Sequence, residues 1–437
     1  MCGADVSTQP DNSRLPEQIF TPSGWAPPAG SAASKPVLPS LPDGSPLVEM
    51  EVPYLNHAFD ASDAKGSTLQ LLPLLFPDRK PADVGLRVQA LAQGTTNGLF
   101  KVTSGPVDAA TQDAVLVKVY GDGTDITIDR DKELRVHKLL ADHQLSSSPL
   151  VRFANGHAYQ FISGAVCAED DMSQTEIFRG VARELARWHA TLPSVDLRDP
   201  RKVLDFEPGL WSTAKKWLNA ISKHPGRSEA EIDSLQEKFQ YLTDKLLLTG
   251  NMPEPLVLGH GDLLSGNIIV QESADNIGAT DVASVRFIDY EHATYCPRAF
   301  ELANHFAEWT GFECDYNLIP KTSIRRAFIR EYLQTHADIS QEHDVTQLPS
   351  KTDLPTVSDA EVERLMLPQT PHDIASLTRV RGRGLCALIQ AETSTGTIDF
   401  DYAGYAAKRF AEYEAWRRVH DGSMEEMTLR EQKWALP

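Results

Sequence analysis

Apolar residues recur along this chain with two periods, and the alternation between them predicts the elements. In DAVLVKVYG, Val115, Val117 and Val119 fall two apart on one face of a strand, and Lys118 lies on the other. MEVPYLNHAFD opens the folded part with a short strand, Arg130 to His143 is helical by propensity, and HAYQFISG is a short strand broken at Gly164. Ser173 and Glu176 have capping-box spacing ahead of a helix whose apolar face is Phe178, Val181, Leu185 and Trp188, stopping before Pro193. Ile232, Leu235, Phe239, Leu242 and Leu246 predict a second such helix. PLVLGHGD and SVRFIDYE are short apolar segments that run into polar residues, and the chain from Arg298 onward reads as largely helical. His336 to Val357 is polar and aperiodic and reads as a surface loop. Residues 1–47 contain nine Pro, four Gly and seven Ser, too little apolar surface to offset ordering entropy, and read as a disordered tail.

Strands with one helix come first, followed by a mostly helical half interrupted by two strand-and-loop pieces. This is the order of an α+β fold with two lobes and nucleotide between them; the βαβ alternation of a doubly wound sheet is missing. The expected division is a tail at 1–47, a strand-rich, nucleotide-binding N-lobe at 48–162 and a mostly helical C-lobe at 163–437. The net charge of −19 argues against a nucleic-acid partner. No apolar run reaches the roughly 20 residues of a membrane span, and MCGADVSTQP lacks the basic and apolar parts of a secretory signal. Five scattered cysteines without zinc spacing suit a reducing, cytoplasmic setting.

The chemistry concentrates in GHGDLLSGNII, where His260, Asp262 and Asn267 stand in H-x-D-x-x-x-x-N spacing. Phosphoryl transfer to a hydroxyl needs a carboxylate to accept its proton and oxygen ligands for magnesium; Asp262 fits the first need and Asn267 the second. FIDYE places Asp289 at the end of an apolar strand, where an aspartate holds Mg²⁺ against nucleotide phosphates or simply caps a turn. Lys118, mid-strand, and Glu133, on the next helix, fit a phosphate-binding lysine and its partner; the bland alternative is a lysine facing solvent from an edge strand. GTTNG before LFKV is a turn that fits over phosphates, although it is not G-x-G-x-x-G.

Together these residues resemble the choline/ethanolamine kinase family, whose protein-kinase-like fold is similar to that of aminoglycoside phosphotransferases. The resemblance runs from about Val52 to Trp416 through LAQGTTNGLFKV, VLVKVYG, IDRDKEL, HGDLLSGNII, FIDYEHATYCPRAFELANHFAEWTGFECDY, LCALIQA and IDFDYAGYA, and AEWTGFECDY looks closer to the ethanolamine branch. It implies an enzyme using ATP and Mg²⁺ to phosphorylate a small amino alcohol, with ethanolamine first and a product that feeds phospholipid synthesis. By this resemblance Asp262 is the catalytic base, Asn267 and Asp289 are magnesium ligands, and Lys118 and Glu133 are the phosphate lysine and its partner. Thr96 and Asn97 fall in the nucleotide loop, Gln160 to Ile162 on the hinge near adenine, and Glu308, Trp309, Tyr402 and Tyr405 around the substrate's ammonium group. A carboxylate and aromatic faces suit a cation, each ring contributing about 0.5–2 kcal/mol. By spacing alone, Tyr402 and Tyr405 fit a helix face packed in the core. The oligomeric state is left open, a homodimer included.

Four positions depart from the family pattern. Gly261 follows the loop histidine where Asn is usual, and Glu301 stands where Asp is usual. In RVRGRGLCALIQA, Arg383 and Cys386 occupy the places of two tryptophans of the cation pocket. An unpaired arginine about 4 Å from a bound ammonium costs about 4 kcal/mol at an effective dielectric of 20. Either Arg383 pairs with an acid such as Glu308, or it binds an anionic group on another acceptor, such as a carboxylate-bearing hydroxy amine. A same-fold kinase for choline or such an acceptor is the runner-up. A nucleotide-binding pseudokinase is a third reading, opposed by the presence of Asp262, Asn267 and Asp289.

Overall fold

Five of the six residues of strand β4 (Val115–Tyr120) are buried, because the strand lies inside a sheet. The computed structural model describes residues 52–77, 85–91, 97–104, 114–121, 123–195, 209–224, 226–248, 255–271, 282–342, 356–366, 384–393, 400–423 and 426–437. The 1–47 tail, Thr96 and Arg383 lie outside them, as do residues 343–355 of the expected loop.

The first lobe is a six-stranded sheet in the order β1-β5-β6-β4-β3-β2, formed by β1 (Tyr54–Leu55), β2 (Arg87–Leu91), β3 (Asn97–Thr103), β4, β5 (Pro149–Phe153) and β6 (Gly156–Gln160). All pairings are antiparallel except β1 with β5. Helix α1 (Ala64–Leu75) buries Leu71, Leu72 and Leu75 against Phe100, Val102, Val115, Val117 and Val119, each worth roughly 1.5–3 kcal/mol of burial. That choice of face points Lys118 the opposite way, towards helix α2 (Arg130–Asp142). The edge-strand alternative for Lys118 fails, since β3 and β6 flank β4.

The second lobe contains α3 (Thr175–Thr191), α4 (Gly209–Ser222), α5 (Glu229–Leu248), α6 (Arg298–Glu308), α7 (Thr322–Glu342), α8 (Asp359–Met366), α9 (Cys386–Thr393), α10 (Tyr402–His420) and α11 (Leu429–Trp434). Phe178, Val181, Leu185 and Trp188 of α3 are all buried, and α3 packs on α7 in a core with Phe287, Phe306, Phe328 and Tyr332. Of the α5 stripe, Leu235, Phe239 and Leu242 are buried. Among the described residues, no helix is long and apolar enough to cross a membrane.

Two local expectations need correcting. Ser173 does not cap α3: Asp170–Ser173 coils as a 3₁₀ turn, and the residue before the helix is extended Gln174, without a side-chain cap. His336 to Glu342 is not loop but the last part of α7, whose preceding turns pack on α3 and carry the helix outward through residues with no apolar period.

The two apolar segments near the chain's centre become β8 (Val257–Gly259) and β10 (Val285–Phe287). β8 pairs with β11 (Thr294–Cys296), and β10 with β9 (Ile268–Val270), which also takes β7 (Ala165–Val166). These small sheets hold two loops side by side, residues 260–267 and 288–293, facing the first lobe.

Candidate active site

His260 is fully buried, and its Nε2–H donates to the Ile288 carbonyl at 2.9 Å, pinning the first loop to the second. Burial lowers its pKa to about 4, so the ring is a neutral strut. His305 of α6 does the same work one layer deeper: Nδ1–H donates to Leu263 O (2.9 Å), and Nε2 accepts from Trp309 Nε1–H (3.2 Å). Glu301 accepts from the backbone N–H groups of His260 (2.9 Å) and Gly261 (3.2 Å). Gly261 itself has φ +77°, and a Cβ there would sit 2.5 Å from His292 O, so the position excludes a side chain at ordinary cost.

Between these supports, Asn267 Nδ2 donates to Asp262 O (2.8 Å) and Asp262 Oδ2 (3.2 Å). The spacing of five residues thus brings the two functional groups into contact. With its amide nitrogen spent on Asp262, Asn267 presents its oxygen to other ligands.

Asp289 follows β10 with φ +67°, an uncommon backbone for a non-glycine residue. The turn swings its carboxylate to the opposite lobe, where Lys118 Nζ bonds Asp289 Oδ1 (2.7 Å), Glu133 Oε1 (2.7 Å) and Glu291 Oε2 (2.9 Å). Burial alone would lower the Lys118 pKa, but Asp289, Glu133 and Glu291 outweigh it and hold the ammonium well above its ordinary value. Burial and the neighbouring Glu291 raise Asp289 to about 6 against the pull of Lys118. Burial also acts to raise Glu291, but Lys118, His292 and Arg130 keep it well below the usual carboxylate range.

Two members of this cluster were not singled out from sequence, Arg130 and Glu291. Arg130 Nη1 reaches Glu133 Oε2 (2.9 Å) and Glu291 Oε2 (3.2 Å). Signals for both existed: Asp289 and Glu291 are two apart in sequence, and Arg130 and Glu133 are three apart on a helix. Asn97 also joins the cluster, its Nδ2 donating to Glu291 Oε2 at 3.1 Å. Carboxylate oxygens of Glu133, Asp289 and Glu291 lie within 4.8 Å of one another, hard oxygen donors of the kind that suits Mg²⁺.

Gln160 ends β6 exposed and Ile162 is half-buried, next to Phe161, whose N–H bonds Ala114 O (2.9 Å). At the other end of the cleft, Glu308 and Trp309 are buried at the end of α6, and the Trp309 indole N–H is already spent on His305. Tyr402 is half-buried and Tyr405 buried, with Phe312 and Phe400 beside them; Phe400 lies 4.8 Å from Tyr402 and 5.7 Å from Tyr405 between ring centres. The Tyr405 hydroxyl accepts from Arg409 Nε (3.0 Å) and Nη2 (2.8 Å). Arg409 pairs with Glu412 Oε2 (3.2 Å), and Arg430 of α11 stands 3.8 Å from Glu412 Oε1. Cys386 opens α9, half-buried.

A carboxylate bonded to an asparagine amide on one loop, with a lysine held by carboxylates from both lobes, has the residue types that phosphoryl transfer uses. The sequence model of choline/ethanolamine kinases matches residues 88–414. The chain belongs to the choline/ethanolamine kinase family. It is 32% identical over 381 residues to ethanolamine kinase 1 of Mus musculus, covering 85% of this chain and 94% of that one. Against ethanolamine kinase 2 of Homo sapiens the identity is 30% over 373 residues, covering 85% and 86%. In three dimensions it is similar to an ethanolamine kinase of Plasmodium vivax, with TM-score 0.62 and 23% identity over 82% of this chain and 90% of that one. A choline kinase of Cryptosporidium parvum gives TM-score 0.59 and 19% identity over 85% and 99%. The fold is therefore the two-lobed kinase-like α+β fold of choline/ethanolamine kinases.

In this member of the choline/ethanolamine kinase family, Glu301 gives a stability prediction. Burial raises its pKa to about 7, against the lowering by the Gly261 and His260 N–H groups, with Asp262 and Glu308 adding to the rise. An acid whose pKa is higher folded than unfolded retains its proton in the native state, so stability falls as pH rises from about 4.5 to about 7. Glu301→Gln preserves the acceptor oxygen and is expected to remove a slope of up to about 1.4 kcal/mol per pH unit. Urea denaturation at stepped pH measures it; parallel curves for the two proteins in that window would refute it.

Proposed function

We propose that this enzyme transfers the γ-phosphoryl group of ATP to the hydroxyl of ethanolamine. The observation that carries the proposal is the meeting of Lys118, Glu133 and Asp289 across the lobes, beside the Asp262–Asn267 pair, in a chain about 30% identical to ethanolamine kinases. Asp262 accepts the hydroxyl proton as the oxygen attacks the γ-phosphorus in line; the bond from that phosphorus to the β–γ bridging oxygen breaks, ADP leaves with the electron pair, and Asp262 then gives its proton to solvent. Lys118 supplies the positive charge at the phosphates and is held in place by Glu133. Asn267 and Asp289 would hold Mg²⁺, which would supply positive charge to the nucleotide phosphates. Asn97, at the start of β3, serves the nucleotide, and Gln160 to Ile162 form the strand end nearest the base. Glu308, Tyr402 and Tyr405 form the acceptor end, where a primary ammonium finds a carboxylate to accept its N–H groups. The site lies in a cytoplasmic enzyme.

A second reading has one observation in its favour. The guanidiniums of Arg409 and Arg430 are buried next to Glu412, with Glu308 acting on both, so the described acceptor end is not purely anionic. With Arg383 in a tryptophan's place, a carboxylate-bearing hydroxy amine would find charge partners here.

ADP release with Mg-ATP against ethanolamine, choline, N-methylated ethanolamines, serine and no acceptor separates the readings. Ethanolamine is expected to give kcat/KM at least tenfold above choline, because quaternary nitrogen has no N–H to offer Glu308 and two tryptophan faces are missing. Serine as best acceptor supports the second reading. No acceptor-dependent ADP release ends both.

A further inference from the structure

Lys118 faces three carboxylates, and a second cation shares two of them. Arg130 opens α2 and spreads its planar fork over four acceptors. Nη1 goes to Glu133 Oε2 and Glu291 Oε2, and Nη2 goes to Asn97 Oδ1 (2.8 Å) and Thr124 Oγ1 (2.5 Å). Thr124 is buried and spends its own hydroxyl proton on Gly121 O (2.8 Å), so it is a fixed acceptor. The guanidinium lies 4.2 Å from the centre of the Tyr120 ring, whose hydroxyl is held by His157 Nδ1 at 2.9 Å. Asn97 closes a ring, since its Nδ2 donates to the same Glu291 oxygen that Arg130 and Lys118 use.

Asn97 and Arg130 belong to the strand-rich lobe and Glu291 to the loop of the helical lobe that carries Asp289. The ring therefore spans the cleft between β3 and the Asp289–Glu291 segment. We infer that Arg130 is a positioning residue of the nucleotide cleft, tying Asn97 to Glu291 so that the start of β3 and the Asp289–Glu291 segment stay in register for ATP. The inference rests on the phosphoryl-transfer reading above. When phosphate oxygens engage Lys118, Glu291 still has Arg130 and Asn97 as donors, and the loop that presents Asp289 is not released. A lysine at 130 would preserve the charge but not the fork, because one ammonium nitrogen cannot reach both pairs of acceptors along two fixed directions.

The test is calorimetric binding of ATP, with and without Mg²⁺, and steady-state kinetics, on wild type, Arg130→Met, Arg130→Lys, Asn97→Ala and the double variant Asn97→Ala/Arg130→Met. Arg130→Met is expected to weaken ATP binding and raise KM for ATP about tenfold, with the acceptor KM within twofold of wild type. Arg130→Lys is expected to recover less than half of that loss. The double variant should bind ATP no worse than Arg130→Met alone, because either change opens the same ring. ATP binding within twofold of wild type in Arg130→Met, full recovery by lysine, or losses that multiply in the double variant would each overturn the inference. Should Arg130→Met fail to fold, Asn97→Ala alone decides: binding within twofold of wild type overturns it, and a selective ATP defect sustains it. Wild-type protein without acceptor-dependent ADP release would sink the phosphotransferase reading, while the binding comparison would still judge Arg130.

Discussion

Asp262→Asn is expected to lower kcat by about 10³, within the 10²–10⁴ range that a positioned general base contributes. ATP binding and the unfolding midpoint should stay near wild type. The reason lies in how the side chain is held: Asn267 Nδ2 touches both Asp262 O and Asp262 Oδ2, so an isosteric amide keeps the loop's shape while losing the basic oxygen. Single-turnover rates with ethanolamine, alongside ATP titration calorimetry, separate the chemical step from binding. A kcat within tenfold of wild type would remove Asp262 from the base role. Because the metal-binding amide of Asn267 leans on Asp262, the alanine variant is a poorer test than the asparagine one. It would loosen two functions together.

Lys118→Met should be damaging twice over. The ammonium is buried among Glu133, Asp289 and Glu291, and removing one partner of a buried ion network costs about 3–5 kcal/mol because charge is left uncompensated. Arg130 still serves Glu133 and Glu291, so the stranded group is Asp289, the candidate metal ligand. The expected outcome is a large drop in urea midpoint together with loss of measurable ATP binding. A double variant, Lys118→Met with Asp289→Asn, should regain part of the stability and none of the ATP binding. Equal stability of Lys118→Met and wild type would mean that the network is not energetically coupled. Recovery of ATP binding in the double variant would mean that Lys118 does not meet the phosphates.

The acceptor end differs in kind. Tyr405 was expected near the substrate's ammonium group, and the competing expectation was a core residue. It is buried with its hydroxyl held twice by Arg409, one turn further along the same helix. Arg409 is three residues before Glu412, a readable helical pair, but Arg430 comes from a helix beyond residue 414, where the family match ends. Pairs brought together over such a separation depend on how helices pack, which local periodicity does not encode.

The catalytic loop shows the opposite case. H-x-D-x-x-x-x-N in a short turn between two strands leaves the chain few ways to avoid bringing Asp262 and Asn267 together, and they touch. The strand VLVKVY and the face it buries followed from alternation alone, since a sheet has only two faces and α1 covers the apolar one. The capping box at Ser173 failed because capping is decided by the backbone of the preceding turn, which the 3₁₀ coil at Asp170–Ser173 had already committed.

By itself, then, the sequence of this protein determined which segments are strands and helices, the order of the lobes, and the local pair at the catalytic loop. These depend on spacings of a few residues, and backbone geometry converts them directly into shared faces. Only the tertiary structure decided that Lys118 is interior, that Asp289 turns back through a left-handed backbone to meet it, and that Glu291, Arg130 and Asn97 close a ring across the cleft. Those contacts join residues up to 194 positions apart. Such contacts form because two lobes bury their apolar faces separately and leave their charged edges to find one another across the gap.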